Sequence, residues 1–356
     1  MKRICIKIGS NVLTKTNGEL NTSRIKNIVY QISALRKLGF QCILVSSGAV
    51  AAGKSKVKIP EKIDTVSARQ IWSSVGQVEL LNIYSSYLKE FKIDCAQVLV
   101  TKQSFRTREH YLNMKNCLNS LLNHDILPII NENDAVSVTA LMFTDNDELS
   151  GLIASMMNVE DLYLLSNIDG IYTGNPNDPA SKLVKTVSGD INRLKQYITT
   201  EKSNFGRGGM ITKCSIAGRV AKSGIPVHIA NGGIDNILLQ LVKSPETVKH
   251  TRFIASKKSS TVKQWLAGSD GFEKAKLIIN QGAEEALCSK DASSLLPVGI
   301  VSIIGDFEKG DIVKIVGNSG KILGLGKTQY NKSKAESFIG KTGEKPVVHY
   351  DYLFLY

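Results

Sequence analysis

The chain has 356 residues, 42% of them hydrophobic and 22% charged, with a formal net charge of +13. That length and composition exclude a disordered or low-complexity chain and suit two packed domains. The positive excess is spread, +9 over residues 1–250 and +4 over residues 251–356, which fits an enzyme of anionic substrates, or a basic proteome, better than a dedicated nucleic-acid patch.

Over the first 240 residues short apolar strands alternate with amphipathic helices. A strand over 4–8 puts Ile4, Ile6 and Ile8 on one face, so Lys7 points the other way near the carboxyl end. A helix over 23–37 follows, with Ile25, Ile28, Val29, Ile32 and Leu35 as its apolar face. The strand over 42–45 runs into Ser46-Ser47-Gly48-Ala49. That turn is either anion-receptive or simply a helix start with Ser47 as N-cap.

A helix over 67–89, a strand over 96–100, a helix over 109–122 and a strand over 126–130 come next. Asn131-Glu132-Asn133-Asp134 follows that strand directly, and Asp145-Asn146-Asp147-Glu148 opens a helix over 146–157. Asx turns account for either cluster alone. Together the carboxylates can hold a substrate ammonium, orient lysines or bind magnesium through water. Strands over 162–165 and 226–229 flank a helix over 210–222. The pattern is α/β, a largely parallel sheet covered on both sides, with ligands bound beyond the carboxyl ends of the strands.

Gly206-Arg207-Gly208-Gly209-Met210-Ile211-Thr212-Lys213 opens the helix over 210–222. Glycines let backbone amides approach a phosphate, and Lys213 adds a charge in the first turn. The spacing is not that of a Walker A loop. With Lys7 and the acidic clusters, this describes a phosphoryl-transfer site needing no covalent intermediate.

Beyond about Ser244 the texture changes, through the polar run Ser256-Lys257-Lys258-Ser259-Ser260 to short apolar runs and glycine turns from Lys276. Their spacing suggests a small β-barrel or sandwich. Six scattered cysteines without a Cys-x-x-Cys pair argue against zinc or a disulfide framework and for a reducing cytosol. The five histidines do not cluster, and each reads as structural. No window approaches a membrane span, so the expectation is a soluble, cytoplasmic protein without membrane partners.

The series Ile6-Lys7-Ile8-Gly9-Ser10, Ser46-Ser47-Gly48-Ala49, Asn131-Glu132-Asn133-Asp134-Ala135, Asp145-Asn146-Asp147 and Gly208-Gly209-Met210-Ile211-Thr212-Lys213 resembles the glutamate 5-kinases of the amino acid kinase superfamily. In the tail, Gly282-Ala283 and Ser293-Ser294-Leu295-Leu296-Pro297-Val298-Gly299-Ile300 resemble a PUA domain. The resemblance implies an amino acid kinase-like three-layer αβα sandwich with a mainly parallel sheet, then a small β-rich PUA-like barrel. The expected division is a catalytic domain at 1–255, a linker at 256–275 and the PUA-like domain at 276–356.

The resemblance also implies ATP-dependent phosphorylation of the L-glutamate γ-carboxylate with release of ADP, the first step of proline biosynthesis. Magnesium, feedback inhibition by proline and a homo-oligomer, dimer or tetramer, come with it. Carried over by motif, Lys7 and Lys213 stabilise the transferring phosphoryl group, and Asp147 orients them. Ser47, Asp134 and Asn146 hold glutamate. Lys7, Ser166, Asn167 and the loop Arg207, Gly208, Gly209, Met210, Ile211, Thr212 and Lys213 bind ATP. Which residues hold the metal is left open by the resemblance.

The sequence departs from the family at Ser166-Asn167, where Thr-Asp is common, at Arg207, often threonine, and at Ile211, often serine. The alternatives are another enzyme of the superfamily, acting on acetylglutamate, aspartate, carbamate or UMP, and an RNA-binding protein using its PUA-like tail. The modest charge of residues 251–356 counts against strong RNA binding.

Overall fold

The computed structural model describes residues 1–59, 63–106, 108–137, 143, 145–188, 209–256, 261–267, 269, 271–289 and 293–356. They fall into two compact units, Met1–Ser256 and Lys257–Tyr356.

The first unit runs β1 (Lys2–Ile8), α1 (Ser10–Leu13), α2 (Thr22–Lys37), β2 (Phe40–Val45), α3 (Ala49–Lys56), α4 (Thr65–Lys89), β3 (Cys95–Val100), α5 (Gln103–Arg106) and α6 (Arg108–Asn123). It continues β4 (Leu127–Glu132), α7 (Asn146–Met157), β5 (Asp161–Ser166), β6 (Thr186–Val187), α8 (Met210–Lys222), β7 (Val227–Asn231), α9 (Ile237–Lys243) and β8 (His250–Phe253). The described strands form one sheet in the order β3-β4-β2-β1-β5-β7-β8-β6. All neighbours are parallel except β7 and β8, which run antiparallel. The expected sheet, mainly parallel with helices on both faces, is what forms.

Alternation along β1 sets the two faces. Ile4, Ile6 and Ile8 are buried in a core shared with α2, α4 and α9. Cys5 and Lys7 face the other way, where the Cys5 thiol lies 3.9 Å from the Ser150 carbonyl oxygen of α7. Helices α7 and α8 cover that side. Caps set the helix starts. The Asn21 side chain accepts from the Arg24 amide ahead of α2, and Asp64 accepts from Val66 and Ser67 ahead of α4.

Two close approaches lock α3 to α4. A Cβ on Gly76 would lie 1.8 Å from the Ala49 carbonyl oxygen, and one on Gly53 equally 1.8 Å from that of Trp72. Neither backbone atom can step aside without parting the helices. Gly76→Ala is therefore expected to cost about 1–3 kcal/mol by overpacking, read as a lower urea midpoint at unchanged slope.

Strand β8 was not foreseen. It is four residues long, it carries Arg252 exposed between buried neighbours, and it begins after the point where the sequence texture shifts. No helix among the described residues is long and apolar enough to cross a membrane.

The second unit holds α10 (Thr261–Ala267), β9 (Ala275–Ile279), α11 (Gln281–Cys288), β10 (Ile300–Gly305), β11 (Ile312–Val316), β12 (Ile322–Thr328), α12 (Lys332–Phe338) and β13 (Val348–Leu355). Its strands form a small sheet in the order β10-β9-β11-β12-β13. Leu277, Ile279, Val313 and Ile315 fill its core. Inside the stretch read as a connection, α10 packs on β13 and buries Trp265 and Leu266. The two small-residue motifs of the tail meet here: a Cβ on Gly299 would lie 2.6 Å from that of Ala283.

Candidate active site

A cavity of about 1160 Å³ opens in the first unit beyond the carboxyl ends of β1, β2, β4 and β5, as the parallel topology dictates. Its wall carries Lys7, Ser47, Asp134, Asn146, Asp147, Ser166, Asn167, Gly209, Met210 and Lys213. The segments that carry them lie far apart in sequence and converge because each follows a strand or opens a helix. Ile211 and Thr212, next along α8, do not line it, and Ile211 is exposed. Arg207 and Gly208 lie outside the described residues.

The centre of the wall is a buried ion triad. Lys7 Nζ lies 2.5 Å from Asp147 Oδ1, and Lys213 Nζ donates to Asp147 Oδ2. Only 1% of Asp147 is exposed, against 6% of Lys7 and 7% of Lys213. Each partner comes from a different element: Lys7 from central β1, Asp147 from the first turn of α7, Lys213 from the first turn of α8. Lys7 thus lies in the sheet interior, not at a wet edge.

Burial works against the Asp147 carboxylate, but Lys213 and Lys7 outweigh it and hold it ionised well below the ordinary carboxylate range. For Lys7 burial wins, aided by repulsion from Lys213, and its pKa falls. For Lys213 burial is overcome by Asp147 and then Asp145, and its pKa rises. As pH climbs, Lys7 is therefore the first of the two to lose its proton.

Asp145 caps α7, accepting from the Asp147 and Glu148 amides at 2.8 and 3.1 Å. Burial and then the Asp147 charge push its pKa up to about 6. A carboxyl whose folded pKa exceeds its unfolded value favours the fold most in its protonated form, an advantage lost as pH rises through about 6. Asp145→Asn keeps a capping oxygen without that charge. Its stability relative to the parent should therefore grow between pH 4 and pH 7, by on the order of 2 kcal/mol, in paired urea titrations.

A second network joins the turn after β2 to the end of β4. Asn146 Nδ2 donates to the Ser46 carbonyl at 2.7 Å, to Ser47 Oγ at 3.1 Å and to Asn131 Oδ1 at 2.9 Å. Ser47 is not the N-cap of α3. That place belongs to Gly48, whose φ of 98° is the left-handed region that glycine enters without strain. Ser47 is left free to face the cavity.

Helix α4 grips the end of β4 and the segment after it at three points. Gln77 Oε1 accepts from Asn131 at 2.8 Å, Gln70 donates to the Ala135 carbonyl at 3.0 Å, and Arg69 pairs with Asp134. Sequence reasoning missed all three. Polar residues inside an amphipathic helix read as its wet face, and the one available signal was the buried face of α4, which contains Ser73, Gly76 and Gln77 beside Leu80 and Tyr84.

At the other end of the cavity, Ser166 closes β5 with its hydroxyl 3.4 Å from Asn167 Oδ1. Tyr172 donates to Asp169, which accepts from Asn231 through its other oxygen. Gly209 caps α8 without a side-chain hydrogen bond, and a Cβ there would meet nothing within 4 Å. Among the described residues the start of α8 thus borders the cavity at Gly209, Met210 and Lys213, and a helix N-terminus with a lysine in its first turn suits phosphate oxygens. Among the described residues no group of three His, Cys, Asp or Glu side chains could hold a metal ion.

Residues 2–231 match the amino acid kinase family, and residues 275–350 match the PUA domain. The chain is 51% identical over 354 residues to a glutamate 5-kinase of Bacteroides thetaiotaomicron, covering 99% of this chain and 98% of that relative. It is 46% identical over 364 residues to a glutamate 5-kinase of Chlorobaculum tepidum, covering 99% and 97%. Among solved structures it is similar to carbamate kinase from Giardia lamblia bound to AMP-PNP, with a TM-score of 0.52 at 15% identity over 72% of this chain and 99% of that one. That last likeness concerns the fold alone.

Proposed function

The chain belongs to the amino acid kinase family and, within it, to the glutamate 5-kinases, and from that membership and the cavity's chemistry we propose that it transfers the γ-phosphoryl group of ATP to the side-chain carboxylate of L-glutamate. The observation that carries the reading is the convergence of Lys7 and Lys213 on the two oxygens of one buried aspartate at the cavity wall.

The acceptor is a carboxylate, already ionised at neutral pH, so the reaction needs no general base. No histidine lines the cavity. The main obstacle is repulsion between two anions brought together. Lys7 and Lys213 offset it by lying where negative charge gathers, in a site dry enough for their charge to count. Asp147 fixes both ammonium groups before substrate arrives, so little reorganisation remains for the transfer step. The amides at the start of α8, with Ser166 and Asn167, take the nucleotide. Ser47, Asn146 and Asp134 take glutamate.

Magnesium fits as an ion carried on the nucleotide phosphates with water as its other ligands. Both Asp147 oxygens are taken by lysines and one Asp145 oxygen caps α7, so the described residues offer no carboxylate cage of their own. There it would neutralise phosphate charge alongside the lysines. Feedback inhibition by proline, a dimeric or tetrameric assembly, a cytoplasmic location and a place at the head of proline biosynthesis complete the proposal, supported by family membership.

The test is ADP release measured with glutamate beside aspartate, N-acetylglutamate, carbamate and UMP. Turnover confined to glutamate is expected. Turnover with another acceptor and none with glutamate would keep the fold and discard the substrate.

A further inference from the structure

Arg69 reaches from α4 to Asp134 in an unusual way. Its Nε and Nη2 donate at 3.0 and 2.7 Å to the same carboxylate oxygen, Oδ1. A fork-on-fork pair would have used both oxygens. Here Asp134 Oδ2 and Arg69 Nη1 keep no protein partner among the described residues, and both side chains line the cavity. Asp134 is nearly buried at 8% side-chain exposure, while Arg69 retains 28%. The pair is also held rigidly, because Gln70 anchors the adjoining Ala135 carbonyl and Gln77 the Asn131 side chain on the same helix.

We propose that Arg69 and Asp134 form a two-charge reader for the α-carbon of the acceptor, Arg69 binding its α-carboxylate and Asp134 its α-ammonium. The proposal rests on the glutamate reading above and extends it to a residue outside the motifs that carry the family resemblance. A free amino acid presents one ammonium and one carboxylate on a single carbon. A lone aspartate would attract the first and repel the second. An arginine already paired to that aspartate cancels the repulsion and adds planar donors for the carboxylate. The same pair disfavours an N-acylated acceptor, which would leave Asp134 Oδ2 facing an amide in place of a cation.

Two truncated acceptors separate this role from a merely structural one. 4-Aminobutyrate keeps the ammonium and the reacting carboxylate but lacks the α-carboxylate. Glutarate keeps both carboxylates but lacks the ammonium. In the full-length protein, Arg69→Gln should raise the KM for glutamate and the inhibition constant of glutarate by about 10- to 100-fold, the range for a hydrogen bond to a charged group. The value for 4-aminobutyrate and the kcat for glutamate should stay within about threefold. Arg69→Lys keeps the charge without the fork. It should recover part of the lost glutamate and glutarate binding, and it carries the same test if the glutamine variant does not fold.

Loss of 4-aminobutyrate binding with glutarate spared would overturn the proposal, since Arg69 would then only hold Asp134 in place. Equal loss of all three ligands, or no change in any, would overturn it too. Absence of glutamate turnover in the parent protein is a different result, and it would remove the glutamate reading itself.

Discussion

Lys213→Ala is expected to lower kcat by roughly 10³-fold while the protein stays folded. Lys213 Nζ is bonded to Asp147 at the cavity wall, and it extends from the helix whose first residues line the same cavity. Removing it takes away a full charge in a buried site, where preorganised donors are worth most. The fold should tolerate the change, because Asp147 keeps its ion pair with Lys7. A second signature follows from electrostatics. Repulsion from Lys213 is one of the forces that lower the Lys7 pKa. Without it Lys7 should hold its proton to higher pH, and the alkaline fall of the residual activity should move upward. Near-normal turnover in this variant would sink the site.

Asp147→Asn should differ from it by damaging stability as well as rate. It leaves two ammonium groups side by side in a buried place with their shared counter-ion gone. Breaking a buried pair in this way costs about 3–5 kcal/mol, which should appear as a lower urea midpoint at neutral pH. The pH dependence has a definite sign. A lysine whose folded pKa is depressed binds fewer protons folded than unfolded, so stability rises with pH. The variant's deficit should therefore shrink as pH climbs above neutral and Lys7 sheds its charge. In the parent the ionised Asp147 suppresses that effect. The rate should fall about 10²-fold, mainly in kcat, because the lysines lose their fixed positions while the contacts proposed for glutamate, through Asn146, Ser47 and Asp134, persist.

Much of the candidate site's placement was legible because a parallel sheet sends its polar residues to predictable places. Lys7, the turn at Ser47, the residues after β4 and the starts of α7 and α8 all fall at strand ends or helix beginnings, where polar residues in apolar surroundings stand out. Helices α7 and α8 take the expected limits because Asp145 and Gly209 mark their starts. What stayed hidden lies inside elements. Arg69, Gln70 and Gln77 belong to a long helix whose first half buries small and polar residues against the site and α3, so apolar periodicity says nothing about them. Gly48 displaced Ser47 as the cap of α3 because the backbone turns left-handed there, which a Ser-Ser-Gly triplet does not announce. Strand β8 and helix α10 are four and seven residues long, too short for a period to emerge. Sequence adjacency groups Ile211 and Thr212 with the loop before α8, whereas helical rotation keeps their side chains out of the cavity lining and leaves only their first-turn amides to serve it.

The most direct measurement is hydroxylamine trapping in the presence of ATP, magnesium and L-glutamate, with the Lys213→Ala variant alongside. A phosphorylated carboxylate reacts with hydroxylamine to give a hydroxamate, read as its coloured ferric complex, so the assay reports the bond that the two lysines are held to form. Hydroxamate from the parent at a rate matching ADP release, and almost none from the variant, is the predicted result. ADP release without hydroxamate, or equal hydroxamate from both proteins, would contradict transfer to a carboxylate at the Lys7–Asp147–Lys213 site.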